Sequence, residues 1–101
     1  VTSITTHILD TVTGGPAAGV AVTLFVDAEG GWREVASAVT DDDGRVSTFP
    51  DIGSGRARLR FDTDTPFFPE VLVTFVVQAG RAHLHVPVIL SAYGYSVYRG
   101  S

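Results

Sequence analysis

Residues 55–62 read Gly55-Arg56-Ala57-Arg58-Leu59-Arg60-Phe61-Asp62. Apolar side chains at 57, 59 and 61 alternate with charges at 56, 58, 60 and 62. A period of two marks a β-strand with one face in a core and the other in water. A helix would scatter the same residues around its circumference. The pattern recurs on both sides of this stretch. Val20, Val22, Leu24 and Val26 alternate with Ala21, Thr23 and Phe25; Val71, Val73, Phe75 and Val77 form a third run; Ala82, Leu84 and Val86 form a fourth. Turn chemistry separates the runs: Gly14-Gly15-Pro16, Glu29-Gly30-Gly31, Asp41-Asp42-Asp43-Gly44, Gly53-Ser54-Gly55 and Ala79-Gly80. The reading places strands at 4–10, 19–26, 32–39, 46–48, 55–62, 70–77, 82–90 and 93–98. Eight short strands with regular turns, and no sustained helical period, predict an all-β sandwich in one domain over residues 1–101.

The composition fits that class. Of 101 residues, 45% are hydrophobic and 18% charged, too apolar for a disordered chain. No apolar run approaches the roughly 20 residues of a membrane helix. A mean hydropathy of +0.25 in so small a domain points to apolar surface covered by a partner chain. The net charge is −4 and no basic stripe is present, which argues against nucleic acid and anionic membranes as partners. With no cysteine, disulfide scaffolds, thiolate metal sites and thiol nucleophiles are excluded. No leader is legible at Val1, where a polar strand-like segment begins at once, and the sequence ends without a peroxisomal tripeptide; the expectation is a cytoplasmic protein, or a periplasmic one if a leader was removed.

Alternation also sorts the polar residues by face. In the first strand Ile4, Thr6 and Ile8 share one side, and Thr5, His7 and Leu9 the other. In the strand from 82, Leu84, Val86 and Val88 oppose His83, His85, Pro87 and Ile89. All three histidines therefore lie off the aliphatic face, making that outer face a candidate site or interface. His-x-His on one strand can supply two metal ligands, with His7 as a third, but the spacing alone is weak and no metal is assigned. A Ser-His-Asp hydrolase lacks its nucleophile elbow. Asp41-Asp42-Asp43 resembles part of a calcium loop but has no later glutamate at the right spacing, so it reads as a solvated turn. The Arg56, Arg58, Arg60 stripe reads as a solvated strand face. The C-terminus is unusual: three tyrosines run to within three residues of the carboxylate, which predicts a terminus tied into the structure rather than a frayed tail.

Four segments carry a family resemblance: "ITTHILDTVTGGPAAGVAVTLF" at 4–25, "TDDDGRV" at 40–46, "FFPEVLVTF" at 67–75 and "HLHVPVILSAYGYSVYRGS" at 83–101. They resemble the 5-hydroxyisourate hydrolases, the transthyretin-related enzymes of urate breakdown, essentially end to end. The most specific motif is Tyr98-Arg99-Gly100-Ser101, which marks the enzymes and which hormone-carrying transthyretins lack. The resemblance implies an eight-stranded sandwich of two four-stranded sheets. It also implies a homotetramer, a dimer of dimers, with active sites at the mouths of a central channel. It implies His7, Arg45, His85 and Ser101 as catalytic residues, with His7, Arg45 and Tyr98 binding substrate, and no metal or cofactor. His83 ranks behind these, with an interface role. Two departures stand out. Family members carry a longer connection with a short helix where only Asp64, Thr65 and Pro66 intervene here, so a tight turn is expected. Ala92 stands where proline is common. The competing readings are a carrier of a small aromatic ligand, a plain interaction module and a zinc-binding protein.

Overall fold

The computed structural model of the chain describes residues 1–100. Its strands are β1 (Ser3–Asp10), β2 (Gly15–Pro16), β3 (Ala21–Ala28), β4 (Gly31–Val39), β5 (Arg45–Val46), β6 (Gly55–Phe61), β7 (Val71–Val77), β8 (His83–Leu90) and β9 (Tyr95–Val97). They form two sheets. One runs β2-β1-β8-β9, with β5 also paired to β1; the other runs β4-β3-β6-β7. The all-β sandwich expected from the alternation is the fold found.

The strand count differs from eight. β2 is the addition: Leu9 pairs with Pro16 and Asp10 with Gly15 as the chain doubles back after β1. Two residues are too few to show a period, so nothing in the pattern marked them. β2 and β5 lie end to end along the same edge of β1, so four strand positions are filled by five segments. The strand expected at 46–48 shrinks to Arg45–Val46. β9 starts at 95, because Ser91 and Gly94 close a turn through the Ser91 N–H and hydroxyl, both donating to the Gly94 carbonyl at 2.9 Å.

The core lies between the sheets. Ile4 and Ile8 of β1, Leu84, Val86 and Val88 of β8, Val22 and Leu24 of β3, Leu59 and Phe61 of β6, and Val71 and Val77 of β7 are buried. Each such side chain contributes about 1.5–3 kcal/mol by leaving water. Thr6, on the core face, is fully buried, and its hydroxyl donates to the Val86 carbonyl at 2.6 Å, so burial leaves no donor unpaired. Among the described residues no helix is present. The β6–β7 connection is a tight turn instead: the Asp64 and Thr65 N–H groups donate to the Pro69 and Phe68 carbonyls at 3.0 and 3.1 Å, and the Thr63 and Thr65 hydroxyls both donate to the Phe68 carbonyl. Among the described residues there is thus no helix long and apolar enough to cross a membrane.

Candidate active site

Strand register builds the site. β1 and β8 run parallel, with Ser3 opposite His83, Thr5 opposite His85 and His7 opposite Pro87. On its other side His7 stands opposite Arg45. Paired residues in adjacent strands point to the same face. The outer face of this sheet therefore presents Ser3, Thr5, His7, Arg45, His83 and His85 together, with His7 and His85 as diagonal neighbours. The sequence reading expected His7 and His85 on this face and took Arg45 from the motif.

Arg45 is held by a built turn. The Asp41 carboxylate accepts the N–H groups of Asp43 and Arg45 at 2.9 and 3.0 Å, and the Asp41 and Arg45 backbones pair at 2.9 Å. Gly44 then passes close under β1, its carbonyl accepting the Ile8 N–H at 2.8 Å. Its φ is +73°, and a Cβ there would lie 2.6 Å from the Ile8 carbonyl oxygen. Only glycine takes this path without strain. The acidic cluster is thus a solvated turn with a positioning role. Among the described residues no group of three or more His, Cys, Asp or Glu is placed to hold a metal ion.

The C-terminal segment folds back onto β8. The Tyr98 N–H donates to the Pro87 carbonyl at 3.3 Å and the Gly100 N–H to the His85 carbonyl at 2.8 Å. A Cβ on Gly100 would stand 2.6 Å from Cδ2 of His85. The His85 ring is therefore bracketed, with Gly100 against its Cδ2 edge and the Thr5 hydroxyl 2.8 Å from Nδ1. Tyr98 is about half exposed and, with Arg99, lines a cleft of about 260 Å³ beside Val73, Phe75, Leu84 and Val86. Ser101 lies outside the described residues. Thr5 and Gly100 were not singled out by the sequence reading. Alternation had put Thr5 on the correct face, but the contact of Gly100 depends on a fold-back that periodicity does not encode.

Electrostatics separate the histidines. Burial is the largest cause that lowers the pKa of His85 from 6.5, followed by the positive charges of Arg45, His7 and His83; a hydrogen bond to the Thr5 backbone pulls the other way. His85 is thus biased toward the neutral imidazole, the form that accepts a proton. The two larger clefts of the single chain open away from the histidines. One of about 830 Å³ is lined by Asp27, Glu29, Arg33, Asp51 and Arg56, and another of about 530 Å³ lies beside Asp10 and the 63–66 turn. The histidine face itself is open.

The two sheets, their order and the fold-back of the terminus define a transthyretin-like β-sandwich. The chain belongs to the HIUase/Transthyretin family, whose model matches residues 4–100. The 5-hydroxyisourate hydrolase of Salmonella dublin is 42% identical over 110 residues, covering 97% of this chain and 80% of that protein. That alignment is longer than the 101 residues of this chain, so the relative carries residues absent here. The structure of Klebsiella pneumoniae 5-hydroxyisourate hydrolase matches with a TM-score of 0.86 at 35% identity, covering all of both chains. Sea bream transthyretin in complex with thyroxine matches with a TM-score of 0.90 at 30% identity, covering 97% of this chain and 94% of that one.

Proposed function

We propose that this protein hydrolyses 5-hydroxyisourate to 2-oxo-4-hydroxy-4-carboxy-5-ureidoimidazoline in urate degradation. One observation carries the reading: two imidazoles and a guanidinium converge on one outer sheet face, in a chain whose relatives are named for that activity. The backbone does not choose between hydrolase and carrier, since it matches a thyroxine-bound transthyretin as well as a hydrolase. The choice rests on the hydrolase relatives, and on His7, His85 and the Tyr98–Ser101 ending that this chain carries.

The product carries a carboxyl and a ureido group, so the bond that breaks is a ring carbonyl-to-nitrogen bond. Water adds to the carbonyl carbon and gives up a proton; the carbonyl oxygen becomes an oxyanion. Collapse of the adduct breaks the carbon–nitrogen bond, and the leaving nitrogen takes up a proton. His7 and His85 form the pair that removes and returns the proton, a role worth about 10²–10⁴ in rate. Arg45, always charged and offering a planar fork, suits the developing oxyanion, a contribution of roughly 3–4 kcal/mol. Tyr98 contacts the planar substrate. Ser101, through its hydroxyl, orients a histidine or the water.

The homotetramer is part of the same proposal. The histidine face has no wall in the single chain, and beside it Leu9 and Ile89, opposite one another in register, are 37% and 36% exposed. A second dimer laid on this face covers those apolar groups and encloses the site. The test is the absorbance decay of 5-hydroxyisourate generated in situ from urate and urate oxidase. Decay well above the spontaneous rate is expected, falling about 10²–10⁴-fold in His7→Ala and in His85→Ala. A folded tetramer that leaves the decay unchanged overturns the hydrolase reading in favour of a channel-binding carrier.

A further inference from the structure

We propose that the Thr5 hydroxyl, itself set by Ser3 through His83, fixes His85 in the tautomer whose Nε2 is free to accept a proton. The catalytic consequence rests on the hydrolase reading above; the tautomer itself rests on geometry alone.

Four groups form an unbroken line along the outer face. Ser3 Oγ lies 2.6 Å from Nδ1 of His83, Nε2 of His83 lies 3.2 Å from Thr5 Oγ1, and Thr5 Oγ1 lies 2.8 Å from Nδ1 of His85. The register of β1 on β8 places Ser3 opposite His83 and Thr5 opposite His85. A hydroxyl has one hydrogen. Thr5 can therefore donate to one ring and must accept from the other. A neutral imidazole likewise carries one N–H and one bare nitrogen. Two neutral rings joined through one hydroxyl must then share a tautomer: both Nδ1–H or both Nε2–H.

The far end of the line chooses between them. The Ser3 hydroxyl also reaches the Ala82 carbonyl at 3.4 Å, and a carbonyl can only accept. With its hydrogen spent there, Ser3 Oγ accepts from Nδ1–H of His83. Nε2 of His83 is then bare and accepts the Thr5 hydrogen. Thr5 Oγ1 in turn accepts from Nδ1–H of His85, which leaves Nε2 of His85 bare. The charged groups that face His85 are Arg45 from β5, His7 from β1 and His83 from its own strand. Gly100 closes the Cδ2 edge. Among the described residues no hydrogen bond fixes the ring of His7, so this control belongs to His85. Neither Thr5 nor Ser3 touches the reacting atoms in this scheme; both are positioning residues.

The experiment is ring-nitrogen NMR on the uniformly ¹⁵N-labelled full chain, at a pH where His85 is neutral. The expected wild-type signature is a protonated Nδ1 and a bare Nε2. Thr5→Val shifts His85 toward Nε2–H, and Thr5→Ser restores the original signature. Ser3→Ala acts from the far end without touching Thr5, moves the balance the same way by less, and serves where Thr5→Val disturbs the fold. In the decay assay Thr5→Val lowers kcat by about ten- to a hundredfold, the scale of lost orienting contacts, with KM little changed. A wild-type His85 protonated at Nε2, or a tautomer unmoved in both Thr5→Val and Ser3→Ala, overturns the proposal. A chain with the expected tautomer and no hydrolysis overturns the function and leaves the tautomer standing.

Discussion

The two sheets bury the same kind of face and expose opposite kinds of chemistry. On the outer face of β3, β4, β6 and β7, the guanidinium of Arg58 lies 4.2 Å over the ring of Trp32, and that of Arg60 lies 5.5 Å over Phe25. Arg58 Nε donates to the Thr74 hydroxyl at 3.0 Å, and Arg60 Nε lies 3.4 Å from an Asp62 carboxylate oxygen, near enough for charge attraction though not aligned as a hydrogen bond. Arg58 and Arg60 are answered locally, by rings, hydroxyls or an acid, while Arg56 at the start of the same strand points to solvent without a side-chain partner among the described residues. On the outer face of β1, β5 and β8, Arg45 has no carboxylate within ion-pair distance among the described residues, and its charge bears on His85. A polar outer face becomes a candidate site when its charges are left to act on one another. Alternation alone produces both faces and does not tell them apart.

The largest expected effect separates the turn that aims Arg45 from the arginine itself. Gly44→Ala forces a side chain into φ +73° and sets its Cβ against the Ile8 carbonyl. The left-handed conformation alone costs about 1–3 kcal/mol, and the clash adds to it. Denaturant unfolding is expected to show at least that loss, and hydrolysis is expected to fall further than stability does, because Arg45 follows directly on the displaced backbone. Full activity in a folded Gly44→Ala protein means that Arg45 is not aimed by this turn.

A smaller effect tests whether the charges on the histidine face act on one another. After burial, the charge of Arg45 does most to lower the pKa of His85. Arg45→Gln should therefore raise that pKa toward 6.5, read by proton NMR of the ring across a pH titration. The linkage has a definite sign. A histidine whose folded pKa is lowered binds its proton more tightly in the unfolded chain, so its contribution favours the fold above pH 6.5 and is lost as pH falls through the depressed value. The wild-type acid limb of the rate should accordingly lie below 6.5. A His85 titration that ignores Arg45→Gln means the two groups do not interact, and the contrast between the faces loses its electrostatic basis.

The fold was legible because it is written in a short-range code. Gly55–Phe61 forms β6 within one residue of its expected span, and the buried set of Ile4, Ile8, Leu24, Leu59 and Phe61 follows from period two alone. The site was legible only in part. Period two put His7, Thr5, His83 and His85 on one side of their strands, but nothing in it says that β1 and β8 are parallel neighbours, or in which register. Arg45 and Tyr98 came from a family motif. The roles of Gly44 and Gly100 come from backbone approaching a carbonyl and a ring across long stretches of chain, and a glycine in the sequence reads simply as a turn. Gly15–Pro16 was too short to carry any pattern.

The smallest expected effect comes from the other face. If the β6 cations are only a solvated surface with rings beneath, Arg58→Ala removes one stacking contact and one hydrogen bond to Thr74 and nothing else. An exposed cation–π contact is worth about 0.5–1 kcal/mol, and a surface hydrogen bond adds little to it. The chain should lose roughly that much on denaturant unfolding, within the range of ordinary surface substitutions. Hydrolysis of 5-hydroxyisourate should be unchanged, because the core of two sheets separates Arg58 from His7, Arg45 and His85. The measurement is paired: unfolding midpoint and initial decay rate on the same preparation. A loss of activity well beyond the loss of stability would mean that the β6 face also reaches the reaction, through a subunit contact or through the sheet. The division of labour between the two faces would then have to be abandoned.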